Sequence, residues 1–439
     1  MSLKQRTITK PVRLTGIGLH SGLTTTLTFK PGSQGIRFNR IDLPHQPSVA
    51  VKPEHLVMDP IVSRCTVIEE NGARVSTIEH VMAVLNALGI DNIDIDINGV
   101  EVPGMDGSSK AFVDALLNAG VVELDKPKHV FAITKPIVVE HNGATVMVVP
   151  GCEFTVNYHL DYDQPLMRDQ RFGLIVNQES FINNVASART FCLASEAEAI
   201  RQRGLGKGAT DQNTLIMDVA GPVNNTLRFP DECCRHKALD IVGDLYTLGF
   251  SIKGTVYGVK SGHALNRALV QKIKQQWVNH MTSANGTGRI FDMDAIRKIL
   301  PHRYPFLFVD RVIEIERRVK GIGIKNVTAN DGFFQGHFPQ KPVMPGVIMI
   351  EAMAQTAGVL LLTSGEHDGK VALFMAIDEV KFRKVVSPGD QLVMEIEVVR
   401  DRERTAQVKG VARVDGDIVI EAMMMFSYAD KTFLYGTNA

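Results

Sequence analysis

Pro345-Gly-Val-Ile-Met-Ile-Glu351-Ala-Met-Ala-Gln355-Thr356-Ala-Gly-Val-Leu-Leu-Leu362 is apolar or small at every position apart from Glu351, Gln355 and Thr356. A helix that is apolar all round must be covered on all sides, so this run predicts a helix enclosed by a sheet. Strand-like runs follow it, including Val371-Ala-Leu-Phe-Met-Ala376 and Leu392-Val-Met-Glu-Ile-Glu-Val-Val399. A carboxylate inside such a helix is costly unless it is paired or functional, which marks Glu351 as a candidate. Just upstream stands Gly336-His337-Phe-Pro339, whose histidine reads equally as a proton-transfer group or as a packed turn residue.

Further upstream, Met281-Thr-Ser-Ala-Asn-Gly-Thr-Gly288 is small, polar and turn-prone, and follows a helix-like stretch that ends near the lone Trp277. Residues 281–288 are therefore expected to be an interdomain linker. A chain of 439 residues exceeds what one core organises, and the expected division is 1–126, 127–280 and 289–439. Forty-eight Lys and Arg balance 48 Asp and Glu with no long basic run, which argues against nucleic acid as a partner. The start, Met1-Ser-Leu-Lys-Gln-Arg-Thr7, lacks a secretory pattern, and no segment approaches the ~20 apolar residues of a membrane span. A cytoplasmic protein with no membrane span is expected. Cys65, Cys152, Cys192, Cys233 and Cys234 are odd in number and contain no CxxC pair, so neither a disulfide framework nor a thiolate zinc knot is expected.

The region before the linker alternates strands and amphipathic helices. Ile93, Ile95 and Ile97 alternate with Asp94, Asp96 and Asn98, the period of a strand with one buried face. Before it, Ile78, Val81, Met82, Leu85 and Leu88 recur at helical spacing and stop at Gly89. A second helix from about Asp231 to Leu248 stops at Gly249 in the same way. The two ends, Leu85-Asn-Ala-Leu-Gly-Ile90 and Leu245-Tyr-Thr-Leu-Gly-Phe250, are weakly alike, and His80 and Asp240 fall at equivalent positions before the two glycines. An internal duplication is expected, with its two helices facing each other and Pro127 between the halves.

His236 and Asp240 stand at i and i+4, on one face of their helix and within reach of a single ion. His80 is the candidate for a third ligand, which would leave one position of a catalytic zinc for water. A solvated helix face produces the same spacing often. Glu79 has two readings as well: Ser76-Thr-Ile-Glu79 fits a capping box, and a carboxylate beside a metal ligand fits a general base.

Residues from about Leu3 to Met281 closely resemble the zinc-dependent UDP-3-O-acyl-N-acetylglucosamine deacetylases of lipid A synthesis. The matching pieces are Gly16-Ile-Gly-Leu-His-Ser-Gly22, Arg64-Cys-Thr66, Ser76-Thr-Ile-Glu-His80, Ser187-Ala-Arg-Thr-Phe191, Arg235-His-Lys-Ala-Leu-Asp240, Gly243-Asp244 and Ser261-Gly-His-Ala264. The resemblance implies that His80, His236 and Asp240 bind Zn2+ and that Glu79 activates the attacking water. It gives His263 the departing amine or the developing charge, and sets the Thr190 hydroxyl near the oxyanion. It makes Phe191 and Lys237 substrate contacts, and Asp244 a support for the metal site or for His263. His20 and Cys65 lie in matched motifs without an assigned role. The segment Phe191 to Ile216 stands where the family builds its acyl passage, and small Ala197, Ala199 and Gly206 would leave room for methylenes.

Arg289 to Tyr435 resembles the 3-hydroxyacyl-[acyl carrier protein] dehydratases, which have the hot-dog fold. The matches are Leu300-Pro-His-Arg-Tyr-Pro-Phe-Leu307, Val309-Asp-Arg311, Gly336-His-Phe-Pro339, Pro342-Val-Met-Pro-Gly346, Glu351-Ala352, Ala354-Gln355, Lys381-Phe-Arg383 and Pro388-Gly-Asp390. The resemblance makes His337 the base for the carbon next to the thioester and Glu351 the group that assists loss of the 3-hydroxyl. It gives the Gly346 N–H the thioester oxygen. In this family the two dyad members face each other across a dimer interface, so a homo-oligomer is implied. Lys381, Arg383 and Lys384 offer a basic face for acyl carrier protein, or simply a solvated one. The whole reads as an α+β chain, two duplicated α/β sandwich subdomains followed by a hot-dog domain, with two chemistries. The competing arrangement keeps an active deacetylase and leaves the last domain only oligomerisation and carrier docking.

Overall fold

Ile93, Ile95 and Ile97 are fully buried, and the strand they form, Ile93–Ile97, lies at the centre of a five-stranded sheet. Its order is Val12–Ile17, Thr24–Pro31, Ile93–Ile97, Ile36–Arg40, Ser48–Ala50. The central strand runs antiparallel to Thr24–Pro31 and parallel to Ile36–Arg40. A second sheet repeats the pattern: Ile137–His141, Ala144–Val149, Ser251–Val259, Phe154–Leu160, Gln170–Ile175. There too the last strand in sequence enters the middle, antiparallel to one neighbour and parallel to the other. The expected duplication is therefore present in topology, where sequence similarity is faint.

The computed structural model describes residues 3–59, 64–282, 289–363, 367 and 369–432. By contacts the chain divides into two compact units, Met1–Gln276 and Trp277–Ala439. The described helices are α1 (Glu79–Leu88), α2 (Lys110–Ala119), α3 (Gln178–Asn184), α4 (Ala194–Gln202), α5 (Glu232–Tyr246), α6 (His263–Thr282), α7 (Met293–Ile299) and α8 (Gly346–Leu362). None is long and apolar enough to cross a membrane.

In the first unit α1 and α5 each precede the central strand of a sheet, and they pack on one another. All of α1 except Asn86 is buried, and so is all of α5 except Arg235 and Lys237. Gly89 ends α1 in the left-handed region, with φ 67, as its position in the sequence predicts. Phe191–Leu193 and Leu215–Asp218 pair in parallel with α4 between them, forming an insert in which no residue of α4 is buried. One local expectation shifts: the helix expected to end near Trp277 runs on to Thr282. Pro127 closes a strand, Val121–Pro127, that pairs with Lys4–Ile8, and the next strand, Val130–Ala132, pairs with Ser251–Val259. Of the expected linker, residues 283–288 lie outside the described residues.

In the second unit a seven-stranded sheet wraps α8, in the order Arg289–Phe291, Arg311–Glu316, Lys320–Asn326, Gln391–Asp401, Thr405–Val414, Asp417–Asp430, Lys370–Phe382. Every neighbouring pair is antiparallel. Met353, Ala357, Val359, Leu360 and Leu361 of α8 meet Met394, Ile396, Val408, Ile420 and Met424 of the strands in one core. This is the enclosed helix that the run 345–362 predicts and the hot-dog arrangement that the resemblance implies.

Candidate active sites

Five ionisable side chains, Glu79, His80, His236, Asp240 and Asp244, are buried where α1 meets α5. Charge is expensive in such a place unless it is paired or functional. The helices can approach because residue 243 is glycine: a Cβ there would fall 2.0 Å from the Glu79 carbonyl oxygen.

Ligand atoms of His80, His236 and Asp240 all lie within 4.8 Å of one another. The His236 Nδ1–H donates to the Ala188 carbonyl at 3.0 Å, which leaves Nε2 as the free lone pair. Burial lowers both imidazoles, His80 to about 3, so both are neutral donors. Burial alone would raise Asp240, but Lys237 and then His236 outweigh it and hold the carboxylate well below its usual range. Its Oδ2 accepts from Lys237 Nζ at 2.9 Å, whereas its Oδ1 is buried without a hydrogen-bond partner. Two neutral imidazoles and an unspent carboxylate oxygen in one buried cluster fit a divalent cation.

The capping-box reading of Ser76 and Glu79 fails. Ser76 ends a strand and its hydroxyl donates to the Val100 carbonyl, while α1 begins at Glu79 with no side-chain cap. Glu79 Oε2 instead accepts the Thr66 N–H at 2.9 Å, and Oε1 lies 3.9 Å from His263 Nε2. Burial pushes Glu79 up to about 7. Burial opposes protonation of His263, but the carboxylates of Asp244, Asp240 and Glu79 together raise it to about 9. The His263 Nδ1–H donates to Asp244 Oδ2 at 2.9 Å, and Asp244 also accepts from Thr66 Oγ1 and Asn266 Nδ2. Thr66 and Asn266 carry no role in the sequence reading; Thr66 lies in a matched motif, but nothing in sequence shows its two bonds.

Thr190 precedes the strand Phe191–Leu193, and its N–H donates to the Gly107 carbonyl. The Phe191 ring stands edge-on to His236, 6.4 Å between centroids, with Lys237 Nζ 5.9 Å from its centre. The insert and the polar cluster thus meet at Phe191. The adjoining loop is fixed by Arg189, whose buried guanidinium holds Glu232 of α5. Burial lowers His20 and pushes Cys65, beside Glu79, up to about 12.

In the second unit Glu351 is partly buried on α8. Its Oε1 accepts from Gln355 Nε2 at 2.9 Å and lies 3.4 Å from His302 Nε2. His337 donates its Nδ1–H to the Val343 carbonyl at 2.7 Å, leaving Nε2 as the free lone pair. Within one chain Glu351 pairs with His302, and no ion pair joins it to His337 among the described residues. Gly346 is the first residue of α8. On the basic face Arg383 pairs with Glu421 and Lys384 with Asp417, so much of its charge is balanced within the chain.

A buried His-His-Asp cluster beside a carboxylate, joined in sequence to a hot-dog unit with Glu351 on its central helix, defines a two-part enzyme. Residues 5–275 match the family described as UDP-3-O-acyl N-acetylglycosamine deacetylase, LpxC, and residues 300–423 match the FabA-like domain. The bifunctional enzyme LpxC/FabZ of Chlorobaculum tepidum is 38% identical over 468 residues, covering 98% of this chain and 100% of the relative. That of Bacteroides thetaiotaomicron is 37% identical, covering 96% and 98%. The UDP-3-O-acyl-N-acetylglucosamine deacetylase of Anaeromyxobacter dehalogenans is 39% identical over 275 residues, 62% of this chain and 88% of the relative. The chain belongs to the bifunctional LpxC/FabZ family, a deacetylase and a dehydratase in one polypeptide.

Proposed function

We propose that the first unit hydrolyses the acetamide of UDP-3-O-(3-hydroxyacyl)-N-acetylglucosamine and that the second dehydrates (3R)-hydroxyacyl carrier-protein thioesters to trans-2-enoyl thioesters. The observation that carries the first assignment is the unpaired, buried Asp240 Oδ1 between two neutral imidazoles, with Glu79 and His263 alongside. The donor set of two nitrogens and one oxygen suits Zn2+ with an open position. When bound, Zn2+ would polarise the amide carbonyl and acidify the attacking water.

The rest of the chemistry belongs to the side chains. Glu79, oriented by the Thr66 N–H, takes the proton from the water. Protonated His263, held by Asp244, gives its Nε2 proton to the amine as the C–N bond breaks and acetate leaves. The Thr190 hydroxyl faces the oxyanion, and Lys237 and Phe191 receive the nucleotide sugar. The segment Phe191 to Ile216 takes the acyl chain. A direct test is metal content and acetate release in His80→Ala: both fall together, and full deacetylation with one metal per chain would refute the ligand set.

In the second unit His337 Nε2 takes the proton next to the thioester carbonyl and Glu351 protonates the leaving 3-hydroxyl. The Gly346 N–H, at the positive end of α8, stabilises the enolate-like oxygen. We assign the dyad to two protomers. This is supported by an edge strand, Lys370–Phe382, that leaves Phe374, Met375, Ile377 and Phe382 exposed, while among the described residues the Glu351 carboxylate lies against His302. An edge of that kind invites a second copy. We divide the chain into 1–126, 127–280 and 289–439, with the linker starting only after α6, which runs to Thr282, and a nucleotide sugar and a carrier-protein thioester as substrates argue for the cytoplasm.

A further inference from the structure

Glu101 is 1% exposed, and its two carboxylate oxygens serve two different segments. Oε1 accepts the His20 N–H at 2.8 Å and the Thr77 hydroxyl at 3.0 Å, and Oε2 accepts the Ser21 N–H at 2.7 Å. Thr77 leads through Ile78 directly into Glu79 and His80. Its φ of 59 is a left-handed conformation that a β-branched residue holds only where its surroundings impose it. The Ser76 N–H donates to the Val100 carbonyl and the Val102 N–H to the Ser76 carbonyl, so the chain entering α1 lies along the strand segment that carries Glu101.

The loop held on the other side of Glu101, Gly18 to Gly22, faces the insert. The Leu19 carbonyl accepts the Gly208 N–H at 3.0 Å and the His20 carbonyl accepts the Lys207 N–H at 3.4 Å. Only glycine fits at 208, since a Cβ would fall 2.3 Å from the Gly18 carbonyl oxygen. The His20 peptide therefore donates to Glu101 and accepts from the insert.

We propose that Glu101 is a positioning residue for deacetylation, its carboxylate linking the insert, through the Gly18–Gly22 loop, to the segment that carries Glu79 and His80. A buried carboxylate accepting three hydrogen bonds fixes those donors more firmly than a neutral group does. An acyl chain seated along the insert then sets the base and the metal ligand in register. The inference rests on the insert being the acyl passage.

The test uses the full chain with metal restored, and measures kcat, KM and metal content on two UDP-3-O-acyl-N-acetylglucosamines, one with a long 3-hydroxyacyl chain and one with an acetyl group. The variants are Glu101→Gln, which leaves at least one of the three donors facing an NH2 group, Gly208→Ala, and the pair. Each single change lowers kcat on the long chain about tenfold and narrows the long-to-short ratio, with metal content unchanged. The double variant is no worse than the worse single, as coupled positions require. Losses that multiply overturn the coupling, as does Glu101→Gln with wild-type kcat on both substrates. Gly208→Ala with an unchanged long-to-short ratio refutes the passage itself, a separate failure. Should Glu101→Gln not fold, Thr77→Val removes one arm of the same carboxylate and enters the same cycle.

Discussion

His263 donates its Nδ1–H to Asp244 at 2.9 Å while its Nε2 lies 3.9 Å from the Glu79 carboxylate. One imidazole thus holds the Asp244 carboxylate on one nitrogen and faces the Glu79 carboxylate with the other. In the proposed roles, Glu79, raised by burial to about 7, must be ionised to accept a proton, so deacetylation should fall as pH drops through that range. His263, raised to about 9 by carboxylates that outweigh its burial, must be protonated to give one, so activity also falls as pH rises through its pKa. Asp244 is the largest of those raising causes. Asp244→Asn should move the alkaline limb of the kcat/KM profile to lower pH, and because the Asp244 charge also raises Glu79, the acid limb should move the same way; an unmoved alkaline limb would remove His263 from that role.

Gly243→Ala should separate α5 from α1 at the His80, His236 and Asp240 cluster. The added methyl meets the Glu79 backbone, which cannot rotate away. Overpacking of this kind costs about 1–3 kcal/mol, and here it displaces Glu79 and His80 together. Thermal melting and metal analysis should show a less stable first unit that retains less metal, with dehydration unaffected. Wild-type metal content with full deacetylation would contradict the close approach.

Subunit mixing tests the dyad. His337→Ala and Glu351→Ala should each be inactive as dehydratases. Co-refolded in equal amounts, they form mixed dimers in half of all pairings, each with one intact site, so about one quarter of wild-type activity returns. No recovery, with mixed dimers shown to form, would put both residues of each site in one protomer.

Lys384→Ala and Arg383→Ala probe the basic face. Both side chains already pair with Asp417 and Glu421, and exposed pairs of this kind are worth at most about 1 kcal/mol, so an acidic carrier protein can compete for them. If it docks there, the variants raise KM for carrier-protein thioesters several-fold with kcat unchanged, and the increase shrinks at high salt. Equal KM values for variant and wild type would leave this a solvated face.

The two folds were legible from different signals. The run 345–362 is apolar or small apart from Glu351, Gln355 and Thr356, which calls for cover on all sides, and the strand-like runs after it supply the sheet. The duplication showed only in two Leu-Gly helix ends, because the repeat is conserved as strand order and direction, which short sequence similarity does not carry. The ligand spacing 236 and 240 was readable on one helix, whereas His80 comes from another element, and only the fold brings it within reach. Ser76 to Glu79 matched a cap because residue types alone do not reveal that Ser76 belongs to a strand. Thr66, Asn266 and Glu101 act through backbone amides or through partners far away in sequence, so no local pattern marked them.

The two units are expected to carry independent chemistries, one needing a metal and one not. The most direct measurement is a single reaction containing UDP-3-O-acyl-N-acetylglucosamine and a 3-hydroxyacyl carrier-protein thioester, run on metal-stripped protein and again after Zn2+ is restored. Acetate release should appear only with Zn2+, while enoyl thioester forms at the same rate in both. Dehydration absent from folded protein in both samples would reduce the second unit to a scaffold, and acetate release at full rate without metal would contradict the assignment of His80, His236 and Asp240.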